Sequence, residues 1–198
     1  MLRLRPGNKV RLTPGFLLLA AILLYLDQQV GLLAWAVLAS VCHELGHIGA
    51  ARLFGGRVGR LTLSATGAEL TFRYPAALSY GAERVVALAG PLANLVIAGG
   101  AMLCDGYRLV LTSLAIGLFN LVPILPLDGG CFLHSLLCEW RNVSTADAVL
   151  AACAGVFIGV LAGVGLIAAL HYANMVLLLL SGWLLVGTLR KNNIFSPK

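Results

Sequence analysis

Val41-Cys42-His43-Glu44-Leu45-Gly46-His47-Ile48 sets a His-Glu-x-x-His string inside a run that is otherwise apolar from Val30 to Phe54. No other feature restricts the fold of the chain so strongly. Residues four apart share one face of a helix, so the imidazoles of His43 and His47 can reach one metal ion with Glu44 beside them, the geometry of a zinc hydrolase. The lead-in Gly31-Leu32-Leu33-Ala34-Trp35-Ala36-Val37-Leu38-Ala39 reads as a membrane span. A charged group at the centre of a span opposes insertion by about 2.5 to 3.5 kcal/mol and by default marks function. Chance occurrence of the string in a helix that holds no metal is the competing reading, and the apolar setting weighs against it.

Of the 198 residues, 60% are hydrophobic and 11% charged, and the mean hydropathy is +0.92. That composition indicates an integral membrane protein of one domain, residues 1–198. The net charge of +6 does not point to nucleic acid, because the cations sit at the ends of apolar runs and form no stripe with interleaved aromatics. The five cysteines, at 42, 104, 131, 138 and 153, are odd in number and lack C-x-x-C spacing. Neither a disulfide framework nor a thiolate zinc site is expected from them. The N-terminus imitates a signal peptide, with Arg3, Arg5, Lys9 and Arg11 ahead of Phe16 to Leu26 and an Ala34-Trp35-Ala36 string. Cleavage there would cut the helix that supports the histidines, so a retained first span is expected.

The organisation is all-α, with about six spans. Thr13-Pro14 starts the first, which ends near Asp27 in a short loop, Asp27-Gln28-Gln29. The second runs from Val30 to Phe54 and stops at Gly55-Gly56. Between residues 58 and 74, apolar and polar residues alternate on both sides of Thr66-Gly67, from Leu61, Leu63 and Ala65 to Leu70, Phe72 and Tyr74, which predicts a β-hairpin. The third span, Val85 to Cys104, contains Gly90-Pro91 and Asn94. The fourth, from about Leu109 to Cys138, is interrupted by Pro123, Pro126, Gly129 and Gly130, which a continuous helix does not tolerate. Irregular backbone at membrane depth requires protein or a water-filled cavity around it. The fifth span, after Ser144-Thr145-Ala146-Asp147, carries Gly155, Gly159 and Gly163, a close-packing face for another helix. The sixth covers about Ala173 to Leu189 and ends at Arg190-Lys191.

Six spans put both termini on one side. On that side fall Arg and Lys at 3, 5, 9, 11, 52, 57, 60, 73, 84, 141, 190, 191 and 198, with Arg108 alone opposite, so both ends are expected in the cytoplasm. His43 lies about 13 residues from Val30, roughly 20 Å along a helix, and Leu109 to Val122 covers roughly 21 Å before the chain breaks toward Asp128. Asp128 therefore arrives at the depth of the histidines and is expected as third ligand in an open tetrahedral site, rather than as a cap of the Gly129-Gly130 turn. Asn94 and Asn120 are candidates for contact with substrate, against a role in bonding between helices. His134 and His171 are expected to be a polar packing residue and an interfacial residue.

These residues together resemble the site-2 protease family of intramembrane zinc metalloproteases. The likeness is carried by His43-Glu44-Leu45-Gly46-His47, by Gly90-Pro91 with Asn94, and by Asn120-x-x-Pro123 leading to Pro126-Leu127-Asp128-Gly129. It implies three core helices, about 30–54, 85–104 and 109–138, with one zinc ion on His43, His47 and Asp128. It also implies Glu44 as catalytic base, and Asn120 and Pro123 in a loop that positions substrate. The layout is most similar to the compact six-span group that includes the sporulation processing proteases, here without the CBS or PDZ domain of other members. Cys131 departs from the arginine that commonly follows the Asp-Gly-Gly.

The expected chemistry is hydrolysis of peptide bonds in membrane-embedded or membrane-associated regulatory proteins. Zinc would acidify a water toward pKa about 7 and polarise the scissile carbonyl, while Glu44 takes the water's proton and returns it to the leaving amine. The 58–74 hairpin either offers substrate a strand edge or is self-contained. The expected partners are that substrate, the lipid bilayer, and a regulatory membrane partner or a second copy of the chain, with no nucleic acid. The alternatives are a zinc-binding membrane carrier and an inactive relative that binds substrates without cutting them.

Overall fold

The computed structural model describes residues 10–27, 31–64, 67–172 and 174–195. The readings that rest on Arg3, Arg5, Lys9, Gln28, Gln29, Val30, Ala65, Thr66, Ala173 and Lys198 lie outside the described residues. In order the chain forms β1 (Val10–Leu12), α1 (Pro14–Leu26), α2 (Leu33–Leu53), β2 (Arg57–Ser64), β3 (Gly67–Arg73), α3 (Tyr80–Met102), α4 (Tyr107–Asn120), α5 (Asp128–Trp140), α6 (Val143–Tyr172) and α7 (Val176–Phe195). It divides into two compact units, Met1–Phe119 and Asn120–Lys198.

In the first unit, α1 starts at Pro14, where a proline lacks only an N–H that has no helical partner anyway. Asp27 then ties down the start of α2. Its Oδ1 accepts from Leu32 N at 2.8 Å and its Oδ2 from Leu33 N at 3.0 Å, two donors that the helix itself cannot satisfy. β2 and β3 pair antiparallel, with Leu61 opposite Leu70 and Thr62 opposite Glu69, which is the expected hairpin. A third strand was not anticipated. β1 pairs parallel with β2, Val10 opposite Leu61 and Leu12 opposite Leu63, and Thr13 N continues the contact to Leu63 O at 2.9 Å. Three residues are too few to show an alternation, so the sequence gives no sign of it. α3 begins five residues before the expected Val85, because Ser79 Oγ accepts from Ala82 N and the charged first turn belongs to the helix.

The second unit opens with the break at residues 121–127, after which α5 begins at Asp128, as the prolines require. Gly129 and Gly130 lie against the backbone of the break. A Cβ at 129 would overlap the carbonyl of Leu121, and one at 130 would lie 2.6 Å from Leu125 N. Ile124 and Leu127 are buried beneath that turn. The Asn142 side chain caps α6 through Thr145 N at 2.8 Å, slightly ahead of the expected Ser144 start. Gly155, Gly159 and Gly163 do not form the expected packing face, since a Cβ at any of them meets nothing within 4 Å among the described residues. The close approach of α6 to α7 is made by Gly165 instead, where a Cβ would stand 2.8 Å from Leu178 N. His134 pairs with Asp147 at 3.3 Å, in keeping with a polar packing role.

α2, α3 and α6 are long and apolar enough to cross a membrane, and Tyr107–Asn120 and Val176–Thr188 are shorter apolar helices. The distribution of side chains matches that solvent. Small or polar residues such as Ala39, Ala51, Ala98, His43, Asn94 and Ser113 are buried, while Val37, Leu45, Val96, Val156 and Leu179 are exposed. A large apolar surface over a core of small and polar residues is what lipid, not water, stabilises. The molecule is a membrane protein.

Candidate metal centre

α2 and α3 meet where two glycines remove the side chains that would hold them apart. A Cβ at Gly46 would overlap Ala89 O and lie 2.9 Å from Ala93 Cβ. Facing it from α3, a Cβ at Gly90 would overlap His47 Nε2 and sit 2.7 Å from His43 Nε2. Gly90 is therefore the floor beneath both imidazoles. Pro91 follows it inside α3 and cannot donate to the carbonyl of Ala87, so this turn of the helix is open on its backbone.

His43 and His47 are both buried, at 5% and 8% exposure. Their rings stand edge to face at 79°, with the two Nε2 atoms 3.1 Å apart. His47 Nδ1 lies 2.7 Å from Val86 O. A carbonyl only accepts, so Nδ1 carries the proton and the Nε2 lone pair points at His43. His43 Nδ1 lies 3.3 Å from Asn94 Nδ2, and Asn94 is wholly buried, with an Oδ1 that has no hydrogen-bond partner among the described residues. Glu44 is half-buried on the next position of α2.

The expected residues thus fall into two sets. His43, His47 and Asn94 are brought together within the first unit, with Glu44 adjacent on α2. Asn120, Pro123 and Asp128 lie close in sequence at the start of the second unit, Pro123 exposed and the other two half-buried. Asp128 is the first residue of α5, where the helix dipole favours a carboxylate. Gly46, Gly90 and Val86 were not expected as supports. Gly90-Pro91 in an apolar helix was the available signal for one of them, and a backbone acceptor such as Val86 O leaves none.

The histidine pair fits a zinc ion. Nitrogens about 2.0 to 2.1 Å from zinc at a tetrahedral angle lie roughly 3.3 Å apart, and the observed separation is 3.1 Å. Two imidazoles, as His43 and His47 supply, are completed in catalytic zinc sites by a ligand such as a carboxylate.

No family model matches the chain. It is 29% identical over 150 residues to the zinc metalloprotease MJ0392 of Methanocaldococcus jannaschii, an alignment that takes in 66% of this chain and 43% of that relative. The chain thus spans less than half the length of that curated relative. Its fold is similar to that of the site-2 protease from Methanocaldococcus jannaschii, with a TM-score of 0.72 and 22% identity, over 96% of this chain and 93% of that one.

Proposed function

We propose that this chain, supported by sequence homology and by fold as a member of the site-2 protease family, is a zinc metalloendopeptidase that hydrolyses peptide bonds within the membrane. The observation that carries this reading is the pair of buried imidazoles whose Nε2 atoms converge at 3.1 Å beside Glu44. Zinc is the cofactor, with His43, His47 and Asp128 as the residues that hold it. Bound there, it supplies a Lewis acid that polarises the scissile carbonyl and acidifies water.

The rest of the chemistry belongs to this chain. Glu44 accepts the proton of the attacking water and passes it to the leaving amine. Val86 O holds the ring of His47 so that Nε2 keeps its lone pair. Asn120, the last residue of α4, and Pro123, on the broken segment, orient the substrate strand. The reading treats residues 1–198 as one metalloprotease domain of six spans around helices 30–54, 85–104 and 109–138. Both termini are cytoplasmic, and the active site lies in the cytoplasmic half of the bilayer. The substrates are membrane-embedded or membrane-associated regulatory proteins.

The test is cleavage of single-span membrane substrates by the full chain, loaded with zinc in lipid nanodiscs, beside Glu44→Gln. Cleavage lost in the variant while zinc is retained supports the protease. Zinc flux across vesicles that survives the change would favour a carrier, and a loaded native chain that binds substrates without cutting any would favour an inactive relative.

A further inference from the structure

We infer that Asn94 is the positioning residue that fixes the ligand tautomer of His43, by accepting a hydrogen bond from Nδ1–H through its amide oxygen. The inference deepens the proposed function and rests on it. Three observations in the first unit carry it. Val86 O fixes His47 with its proton on Nδ1, so His47 already presents a lone pair at Nε2. His43 presents one at the shared point only if its own proton also sits on Nδ1, since a neutral imidazole carries a single N–H. Asn94 places its side-chain amide against that Nδ1, at 3.3 Å and with 0% exposure.

With Nδ2 toward His43, the amide donates to Nδ1 and forces the proton onto Nε2, where it points at His47 Nε2 across 3.1 Å. A half-turn about the last side-chain bond exchanges the two amide atoms. It carries Oδ1, the buried oxygen that otherwise has no partner, onto Nδ1 and leaves both Nε2 lone pairs converging. The rotation gives that oxygen the N–H it lacks and removes the obstruction, while the NH2 takes the oxygen's former position. Full burial also separates Asn94 from a substrate surface, which distinguishes it from Asn120 and Pro123. The arrangement makes Asn94 to His43 what Val86 O is to His47, one side chain and one backbone carbonyl of the same helix α3 each setting a ring of α2.

The experiment measures zinc affinity of the full chain in nanodiscs by competition with a chromophoric chelator, for the native protein, Asn94→Leu and Asn94→Asp. It adds 15N spectra of histidine-labelled native protein loaded with zinc. Asn94→Leu keeps the branched outline of the side chain and loses the acceptor, and is expected to weaken zinc by about 10- to 100-fold. Asn94→Asp can only accept and is expected to hold zinc at least as tightly as the native chain. The loaded spectra are expected to show protons on Nδ1 of both histidines. Native affinity in Asn94→Leu, weakening in Asn94→Asp equal to that in Asn94→Leu, or a proton on Nε2 of His43 in the loaded protein would each overturn the inference and leave the protease reading standing. Should Asn94→Leu fail to fold, the aspartate variant and the native spectra decide the matter. A native chain that takes up no zinc would overturn both.

Discussion

Nδ1 of His47 on α2 donates a 2.7 Å hydrogen bond to the backbone carbonyl of Val86 on α3. One imidazole is therefore aimed by the main chain of a neighbouring helix, and its aim depends on how closely the two helices approach. Gly90 sets that approach. Gly90→Ala is expected to push the rings off their converging position, lowering zinc affinity by at least about tenfold and stability by about 1 to 3 kcal/mol. Chelator competition and thermal melting measure the two effects. Native zinc affinity in this variant would mean that the floor beneath the histidines yields without consequence.

Glu44→Gln keeps the shape of the side chain and removes its basicity. Cleavage is expected to fall by about 10²- to 10⁴-fold, with zinc still near one ion per chain by elemental analysis. Parallel loss of metal would instead make Glu44 a support of the site.

Asp128→Ala removes the carboxylate of the proposed donor set. Zinc is expected to wash out of the variant on dialysis against a mild chelator that leaves the native protein loaded. Because metal binding couples to folding, removing zinc from the native chain should also lower its melting temperature. A variant that retains zinc like the native chain would remove Asp128 from the metal set.

Asp27 lies outside the metal centre and caps α2 through two backbone N–H groups. Asp27→Ala is expected to lower stability by about 0.5 to 2 kcal/mol while zinc content stays unchanged. A change in zinc content alone would contradict the assignment.

Tyr74 follows the hairpin. Burial first and the charge of Glu83 second hold its phenol above the ordinary value of 10.0. The folded chain thus retains the phenolic proton more strongly than the unfolded one. This contribution to stability is complete below the unfolded value and is lost as pH rises through the folded one. Melts of native protein and Tyr74→Phe between about pH 9 and 11 are expected to show a steeper alkaline decline for the native chain.

The parts of the fold and site that could be read from residues alone share a physical cause. A charged string in an apolar run, paired prolines, and alternation over many residues each carry a penalty or a period visible without a partner. This located α2, the break before α5, the hairpin, and His43, His47 and Glu44 as neighbours on one helix. Features that arise only between elements were hidden. β1 is three residues long and acquires meaning from β2. Val86 contributes a carbonyl that every residue possesses. Gly155, Gly159 and Gly163 have the spacing of a contact face, yet Gly165 makes the contact, because spacing shows where a helix can be approached and not which side is used. Asn94 was singled out as polar in a span, but only its burial against His43 shows what it addresses.

The parallel pairing of β1 with β2 closes a circuit in the chain. The strand before α1 and the strand after α2 are hydrogen-bonded to each other, and Thr13 N reaches Leu63 O on the way into the first helix. The polypeptide therefore returns, after α1 and α2, to the strand it started from, with Leu63 beside Leu12. α1, at 13 residues, and α2 thus form one excursion whose two ends are held together by main-chain hydrogen bonds.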